Sequence, residues 1–515
     1  MTIDPIEILR KEPFRRILPD PFPRYITAFD KDAPYQEDNV QYQLVSQADF
    51  MREYEVSGHK ILSRGYYPDK TKYDDEKKQF VTEILSRVAF PFQYVITVKQ
   101  LCHLCGNNID FKLSDARPSQ QDHELLHDFV QGWLDKNMET AWYYAARAEK
   151  ITGDAAFCGY MANGIFRWRV FSYLEGDVLF PHYDPITGDL DAFGRKYKLY
   201  DEKGRTVDYL DVWDNRYIYH FRRSNTLTDR IRNTIKRFAG LSGWEEVEPP
   251  TLHGFDFIPI AYKRSPIGPC WSPSQDNIEN YELAVSQLAE NNKAFAFPIL
   301  FIKSTNDLDV EGTSDGRPTM IVASDESADA KTLNRADASS SFELQLRILL
   351  ENIFRGSFAV NPPEIKGGDL PGVTVKLIYS PAIEKAMADS QEWNNFMDEM
   401  VNIFKQGYGI ETGRVSRMNA LRVRGDIIPY VHQNVAETIS NLVQSKVAGI
   451  LSTRTATELN PYASNAEYEQ RLEEERRAIQ SPVQQSVTTQ VTETAQGDNV
   501  VNRTRETIAK AQNNS

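Results

Sequence analysis

Downstream of Lys77, apolar residues recur at Phe80, Ile84 and Val88, a helical spacing that predicts a helix there. It leads into FPFQYVITVKQLCHLCGNNIDFKL, where Gly106 marks the passage into a strand. Two further helices are predicted over about Asp122–Trp133 and Thr140–Lys150. Alternating segments with turn signals follow. FCGYMANGIFRWRVFSYL reads as a hairpin turning at Asn163-Gly164, and YDPITGDLDAFGRKYKLY as strands. VDYLDVWDNRYIYHFRR reads as a second hairpin, turning near Asp214-Asn215. Residues 50–265 are therefore expected to form a mixed α/β domain. Residues 1–50, rich in Pro, Asp and aromatics, are expected to form an extended arm.

The pattern changes at Ser272-Pro273, which suits a helix start with serine as N-cap and proline in the first turn. Ile278, Tyr281, Val285 and Leu288 give this helix one apolar stripe. FPILFIKS predicts a strand, Asp307, Asp309, Glu311 and Asp315 an acidic turn region, and TMIVAS a short strand. Ser340 and Glu343 read as a capping box for a second helix, whose Phe342, Leu346, Leu349, Leu350 and Ile353 face a partner. The next segment, AVNPPEIKGGDLPGVTVK, carries three prolines and three glycines and reads as non-helical. Ser380-Pro381 then opens a helix to about Phe404, roughly 36 Å long at 1.5 Å per residue. Its apolar positions are Ile383, Met387, Trp393, Phe396, Met400 and Ile403. Two helices bracketing a small β-rich insert, with a glycine-rich loop before one long helix, suit a subunit standing in a ring around a channel.

The C-terminal part reads as helical, with capping boxes at Asn434/Glu437 and Ser464/Glu467 and a break at Asn460-Pro461. YEQRLEEERRAI is a charged helix with little to bury. After Ser481 the composition falls to Gln, Thr, Asn, Ser and Val, which predicts a disordered tail.

Composition narrows the function classes. A chain of 515 residues divides into several compact units, since single cores stop growing at about 250–300 residues. The formal net charge of −14 argues against a tight grip on nucleic acid, which needs Lys and Arg at phosphates, but allows a surface past which DNA slides. Four cysteines make no disulfide framework, so a reducing cytoplasm is expected. No apolar signal region or membrane-spanning run is evident, and a soluble intracellular product is expected.

Candidate chemistry is sparse. His123-Glu124-Leu125-Leu126-His127 is a literal H-E-x-x-H, which on a helix sets two imidazoles on one face for zinc with Glu124 as general base. The extended form fails, because Val130 and Trp133 stand where a glycine and a third histidine belong; Glu139 or Glu149 are the remaining candidates for a third ligand. Cys102-His103-Leu104-Cys105 resembles half of a zinc site, but Cys158 and Cys270 are single and distant, so a buried pair of small apolar side chains is the better reading. Gly188–Lys196 misses a phosphate-binding loop in its glycine spacing and lacks Ser or Thr after Lys196, so a hairpin turn is expected. Positive charge clusters only around Arg216–Arg237, where DNA, an acidic neighbour or plain solvent are all open.

Taken in order, these segments resemble the portal proteins of tailed bacteriophages over most of residues 75–480. FPFQYVITVKQLCHLCGN looks like the family's helix that ends at a glycine before a strand. IPIAYKRSP followed by IENYELAVSQLAENNKAF is similar to its strand-to-helix entry into the stem. PGVTVKLIYSPAIEKAMADSQEWNNFM looks like the passage from tunnel loop to long wing helix, and IIPYVHQNVAETISNLVQSKVAGILSTRTATELNP like the segment leading into the crown. The chain departs from the pattern where Pro371-Gly372-Val373-Thr374 replaces the commoner Ser-Gly-x-Ala.

The resemblance implies a mixed α+β portal fold: α/β wing, two-helix stem, small β-rich clip, long wing helix with tunnel loop, and helical crown. It divides the chain into arm and wing (1–270), first stem helix (271–296), clip (297–339), second stem helix (340–356), tunnel loop and wing helix (357–432), crown (433–480) and tail (481–515). It implies no enzyme and no cofactor, but a homo-oligomeric ring, usually of twelve copies, at one capsid vertex of the virion, assembled in the host bacterial cytoplasm. Its partners would be major capsid and scaffold proteins, the packaging ATPase (the terminase large subunit) and later a head–tail adaptor, with double-stranded DNA passing through without sequence-specific binding. Asn361, Lys366, Gly367, Gly368, Asp369 and Gly372 would line the channel. Asp307, Asp309, Glu311 and Asp315 would dock motor and adaptor. Ile278, Tyr281, Val285, Leu288, Leu346 and Leu350 would pack the stem. The competing readings are a zinc metallopeptidase built on His123, Glu124 and His127, and a non-ring virion protein such as an adaptor or scaffold.

Overall fold

The structure, a computed structural model, describes residues 22–25, 42–74, 78–115, 118–184, 186–224, 244–295, 299–303, 309–312, 318–322, 329–333, 339–361, 372–431, 435–460, 474 and 476–477. It has a mixed helix-and-sheet architecture. The chain divides into two compact units, residues 1–366 with 378–431 and residues 367–377 with 432–515.

In the first unit, strand periodicity builds a three-layer body. β6 (Asp154–Ala162) pairs antiparallel with β7 (Ile165–Phe171) on one side and β13 (Ile260–Arg264) on the other. The β6–β7 turn is Asn163-Gly164, with φ of 54° and 77°, the positive pair that a two-residue hairpin with matching twist requires. Successive β6 side chains point to opposite faces, and both faces are covered. Ala155 and Phe157 join a core with helices, while Ala156 and Cys158 join a core with Leu179, Phe193 and Trp213 of a second sheet. That second sheet is an antiparallel meander of β8 (Val178–Tyr183), β9 (Leu190–Tyr200), β10 (Thr206–Trp213), β11 (Tyr217–Ser224) and β12 (Glu245–Leu252). Gly188 lies in the β8–β9 turn with φ 76°, as the hairpin reading of that segment required. The basic stretch begins in β11; residues 225–243 lie outside the described residues.

The helical layer comprises α2 (Phe92–Cys105), α3 (Gln120–Asp135), α4 (Met138–Thr152) and α7 (Gly372–Thr412). Ser119 and Asp122 close a capping box at the start of α3. The core is aromatic: the Phe404 ring meets Phe129, Trp133 and Phe166 edge-on at 5.2, 5.3 and 5.5 Å, a geometry that adds to simple burial. Two glycines let α7 press against the sheet. A Cβ on Gly407 would stand 2.1 Å from the Phe166 ring, and one on Gly159 2.4 Å from Ile403. β5 (Asp110–Leu113) pairs with β18 (Val423–Asp426), which follows the short α8 (Val415–Ala420). Among the described residues no helix is long and apolar enough to cross a membrane.

Several expectations are corrected. The Phe80/Ile84/Val88 helix does not form: Gln79–Glu83 is a strand, β4, paired with β3 (Lys70–Asp74), and residues 84–91 are irregular. Phe80 and Ile84 are exposed, so the spacing had no core to bury against. The helix expected at Ser272 begins as a 3-10 turn, Ser272–Ser274, with Pro273 in its first turn, and α5 proper runs Gln275–Phe295. Helix α6 (Ser339–Gly356) takes in Ser340, which therefore stands inside it and not at its cap. The largest revision is α7, which starts at Gly372, carries Pro381 within it and ends at Thr412, making it about 60 Å long at 1.5 Å per residue. Residues 372–376, read as non-helical, are helical. Proline in a helix removes the hydrogen bond to the carbonyl four residues back. That residue is Leu377, which is 70% exposed, so the lost bond falls at the surface and not in the core. On α7 the expected Trp393, Phe396, Met400 and Ile403 are buried, but Met387 is exposed.

The N-terminal arm contributes β1 (Phe22–Tyr25) and β2 (Tyr42–Val45), which pair, followed by α1 (Gln47–Tyr54). In the second unit, α9 (Val435–Val447) starts next to the expected cap Asn434. Ser452 accepts the Thr455 amide to cap α10 (Thr453–Glu458), a helix that ends before Asn460-Pro461. The Ser464/Glu467 box, most of YEQRLEEERRAI and the tail lie outside the described residues; within that helix Glu474, Arg476 and Arg477 are helical and exposed.

Candidate functional site

Helices α5 and α6 bracket four short strands in two antiparallel pairs. β14 (Ile299–Lys303) pairs with β17 (Asp329–Leu333), and β15 (Asp309–Gly312) with β16 (Pro318–Val322). Asp309 and Glu311, expected in a turn, lie in β15; Asp307 and Asp315 fall outside the described residues.

Where α5 joins the body, its stripe is less bare than the sequence suggested. Ile278 is fully buried with Phe50, Ile96, Ile151, Trp271 and Ile353, and the Tyr281 ring lies 5.4 Å from both Phe90 and Phe92. Two of the supposed lateral contacts are thus met within one chain. Val285, Leu288, Leu346 and Leu350 are half-buried, whereas Leu344 and Ile348, one turn apart on α6, are each 47% exposed. The second face of α5 is polar and buried. Glu282 accepts the Phe90 amide at 2.8 Å, Ser286 the Val88 amide at 2.9 Å, and Glu290 the Ser86 amide. The match is geometric. Alternate amides on an extended chain recur about every 6.6 Å, and helix positions four apart about every 6.0 Å. Residues 84–91 are therefore held as an extended strap whose backbone donors go to α5 side chains. Glu282 also receives His59 Nδ1 at 2.7 Å, with both side chains buried. The sequence signal for this ladder is the spacing Glu282, Ser286, Glu290, four residues apart along α5.

A second polar constellation anchors the segment after α6. Gln100 Nε2 donates to the Ser357 carbonyl at 2.7 Å, Lys99 donates to the Val360 carbonyl, and Ala359 is buried. Beside them Lys150 Nζ lies 2.6 Å from Asp389, which also receives Lys385 one turn earlier. Burial alone would push the Lys150 ammonium down, but Glu149 and Asp389 outweigh it and hold it above its usual range. For Asp389 burial opposes ionisation, yet Lys150 and Lys385 keep its carboxyl below 3.8. Burial pushes Glu149 up, and its Oε2 has no hydrogen-bond partner among the described residues. A cavity of about 200 Å³ opens on this cluster. Two cations and two acids, on α4 and α7, form a base beside Ser357–Ala359. Asn361 sits at that base and is exposed, and Gly372 is the first residue of α7. Lys366, Gly367, Gly368 and Asp369 lie outside the described residues.

The zinc constellation does not assemble. His123, Glu124 and His127 lie on the exposed face of α3. Glu139 is engaged by Trp133 Nε1 at 3.0 Å and the Ile109 amide at 3.2 Å, and Glu149 is buried in the Lys150 cluster. Among the described residues no three His, Cys, Asp or Glu side chains converge as a metal site. The expected buried cysteine pair is corrected too: Cys102 is exposed and Cys105 half-buried, as two positions three apart on a helix with one side in solvent.

The family model described as phage portal protein, SPP1 Gp6-like, matches residues 37–481. No curated protein matches the chain. A chain from the neck of an empty GTA particle is similar at 11% identity and a TM-score of 0.39, over 72% of this chain and 90% of that one. A chain from the virion of a native gene transfer agent particle is similar at 10% identity and a TM-score of 0.38, over 72% and 89%. With the family model covering well over half of its length, the chain belongs to the SPP1 Gp6-like phage portal proteins.

Proposed function

We propose that this chain is the subunit of a closed ring, of about twelve copies by analogy with the family, that stands at one vertex of a phage capsid. The ring forms the channel for DNA packaging and ejection, docks the packaging ATPase during filling and holds head–tail adaptors afterwards. It acts as a structural conduit in the virion, not an enzyme. The match of the family model across residues 37–481 carries this reading. Two features of the chain support it. Leu344 and Ile348 present apolar surface on α6 that a lateral neighbour would cover. The net charge of −14 suits a wall that does not bind a passing polyanion.

Within the reading, residues 1–270 and 357–432 form the wing, 271–296 and 340–356 the stem, 297–339 the clip and 433–480 the crown. The loop from Asn361 to Gly372 faces the channel, and the acids of the β14–β17 region dock motor and adaptor. Negative-stain imaging and native mass spectrometry of the purified protein test the central claim: closed rings with a hole are expected. A sharp monomer at every salt concentration, with and without capsid protein, would overturn it.

A further inference from the structure

A cleft of about 710 Å³ opens beside the C-terminal half of α7, between the β8–β9 turn and the segment entering β13. This size falls within the range of ligand sites, about 300–1,000 Å³. Leu190, Ile258, Ile260 and Ile403 supply apolar lining, and Lys405 and Gln406 line it from the helix. Lys405 is 8% exposed, and it forms no hydrogen bond or ion pair with any described residue; burial alone pushes its ammonium down. Gln406 is 3% exposed, and its Oε1 has no hydrogen-bond partner among the described residues. Asp184, Asp189, Asp191 and Asp256 also line the cleft. Asp184 is engaged by the Ile186 and Thr187 amides, Asp191 by His182, and Glu399, which also lines the cleft, by the Tyr262 amide, which leaves Asp189 and Asp256 the acids whose carboxylates have no partner among the described residues.

A buried ammonium without a counter-ion is costly, as is a buried amide oxygen without a donor. The site is chemically incomplete, and what it lacks is specific. Lys405 calls for one carboxylate. Gln406 Oε1 calls for an N–H, which a peptide backbone carries. The apolar lining calls for an aliphatic side chain. The carboxylates repel a polyanion such as DNA and call for a cation beside that carboxylate. We propose that this cleft is a receptor for an extended segment of a partner protein in which an aliphatic residue, Asp or Glu, and Lys or Arg follow one another. Lys405 takes the acid and Asp189 with Asp256 take the base. The inference needs no ring and stands apart from the channel reading.

The test is fluorescence anisotropy on the full-length protein with three labelled tripeptide amides, Leu-Glu-Lys, Leu-Gln-Lys and Leu-Glu-Gln. Leu-Glu-Lys is expected to bind at least tenfold more tightly than either of the others. Lys405→Met should erase the difference between Glu and Gln probes, and Asp189→Asn with Asp256→Asn the difference between Lys and Gln probes. Lys405→Arg, which keeps the charge, should retain most of the discrimination. Because the comparison of probes on the unaltered protein is decisive by itself, a variant that failed to fold would not rescue the idea. Equal binding of the three probes, no binding of any, or displacement of Leu-Glu-Lys by equimolar inorganic phosphate would each overturn it.

Discussion

Lys150 and Asp389 are 239 positions apart in sequence and 2.6 Å apart in space, each almost wholly buried. Removing one member of such a pair leaves an uncompensated charge in the core, at a cost of about 3–5 kcal/mol. Asp389→Ala should lower stability by that order in chemical denaturation, whereas Lys150→Met combined with Asp389→Leu should recover much of the loss. Because the folded-state pKa of Asp389 is depressed below 3.8, its contribution is present above that value and is lost as pH falls through the folded pKa. The stability of the unaltered protein should therefore fall more steeply below about pH 4 than that of Asp389→Asn. Nothing at either position foretold this pairing. Lys150 was legible only as a helix end, and Asp389 only as a polar position on the long helix, because a local pattern carries no information about a partner brought by the fold.

At the scale of elements, the strap over residues 84–91 is held by side chains in place of a neighbouring strand. Replacing Glu282, Ser286 and Glu290 together by alanine would strip the acceptors from three amides, at about 1–3 kcal/mol for each that stays buried. Hydrogen exchange at Ser86, Val88 and Phe90 should quicken at least tenfold, with exchange in β6 unchanged; unaltered protection would show that the strap is fixed by packing alone. The α7–sheet contact gives a second expectation. Gly407→Ala would place a methyl 2.1 Å from the Phe166 ring and should destabilise by about 1–3 kcal/mol, with a lower midpoint in thermal unfolding. Helices α3 and α4 and the hairpin at Asn163-Gly164 were readable from local pattern, since burial and turn chemistry agree there. The strap was not. Its Phe80/Ile84/Val88 spacing mimics a helix, and what overrides it is the set of acceptors on α5 together with Pro91, which disfavours helix in the residue before it.

For the whole molecule, the test of the channel reading lies in the segment between Val360 and α7. Its anchoring by Lys99 and Gln100 on one side and the start of α7 at Gly372 on the other leave a shorter connection than the sequence suggested. Deleting Lys366–Pro371 should leave ring assembly nearly unchanged, because no stem residue is touched. DNA packaging, or retention in the filled head, should fall sharply. Normal packaging and retention by rings carrying the deletion would place this loop outside the channel.

By itself, the sequence determined the alternation of the central strands, the helices α3 and α4 and the order of helix, β-insert, helix and long helix. These follow from periodicity and turn residues, which act within a few positions. The tertiary structure alone decided how far α7 runs through Pro381, which half of the α5 stripe is met inside the chain, and that the H-E-x-x-H finds no third ligand among the described residues. It also decided that Lys405 is buried with no acid paired to it among the described residues. Each of these depends on groups distant in sequence: water can replace a lost helix bond only where the helix is exposed, and a charge is compensated or stranded only by what the fold brings beside it.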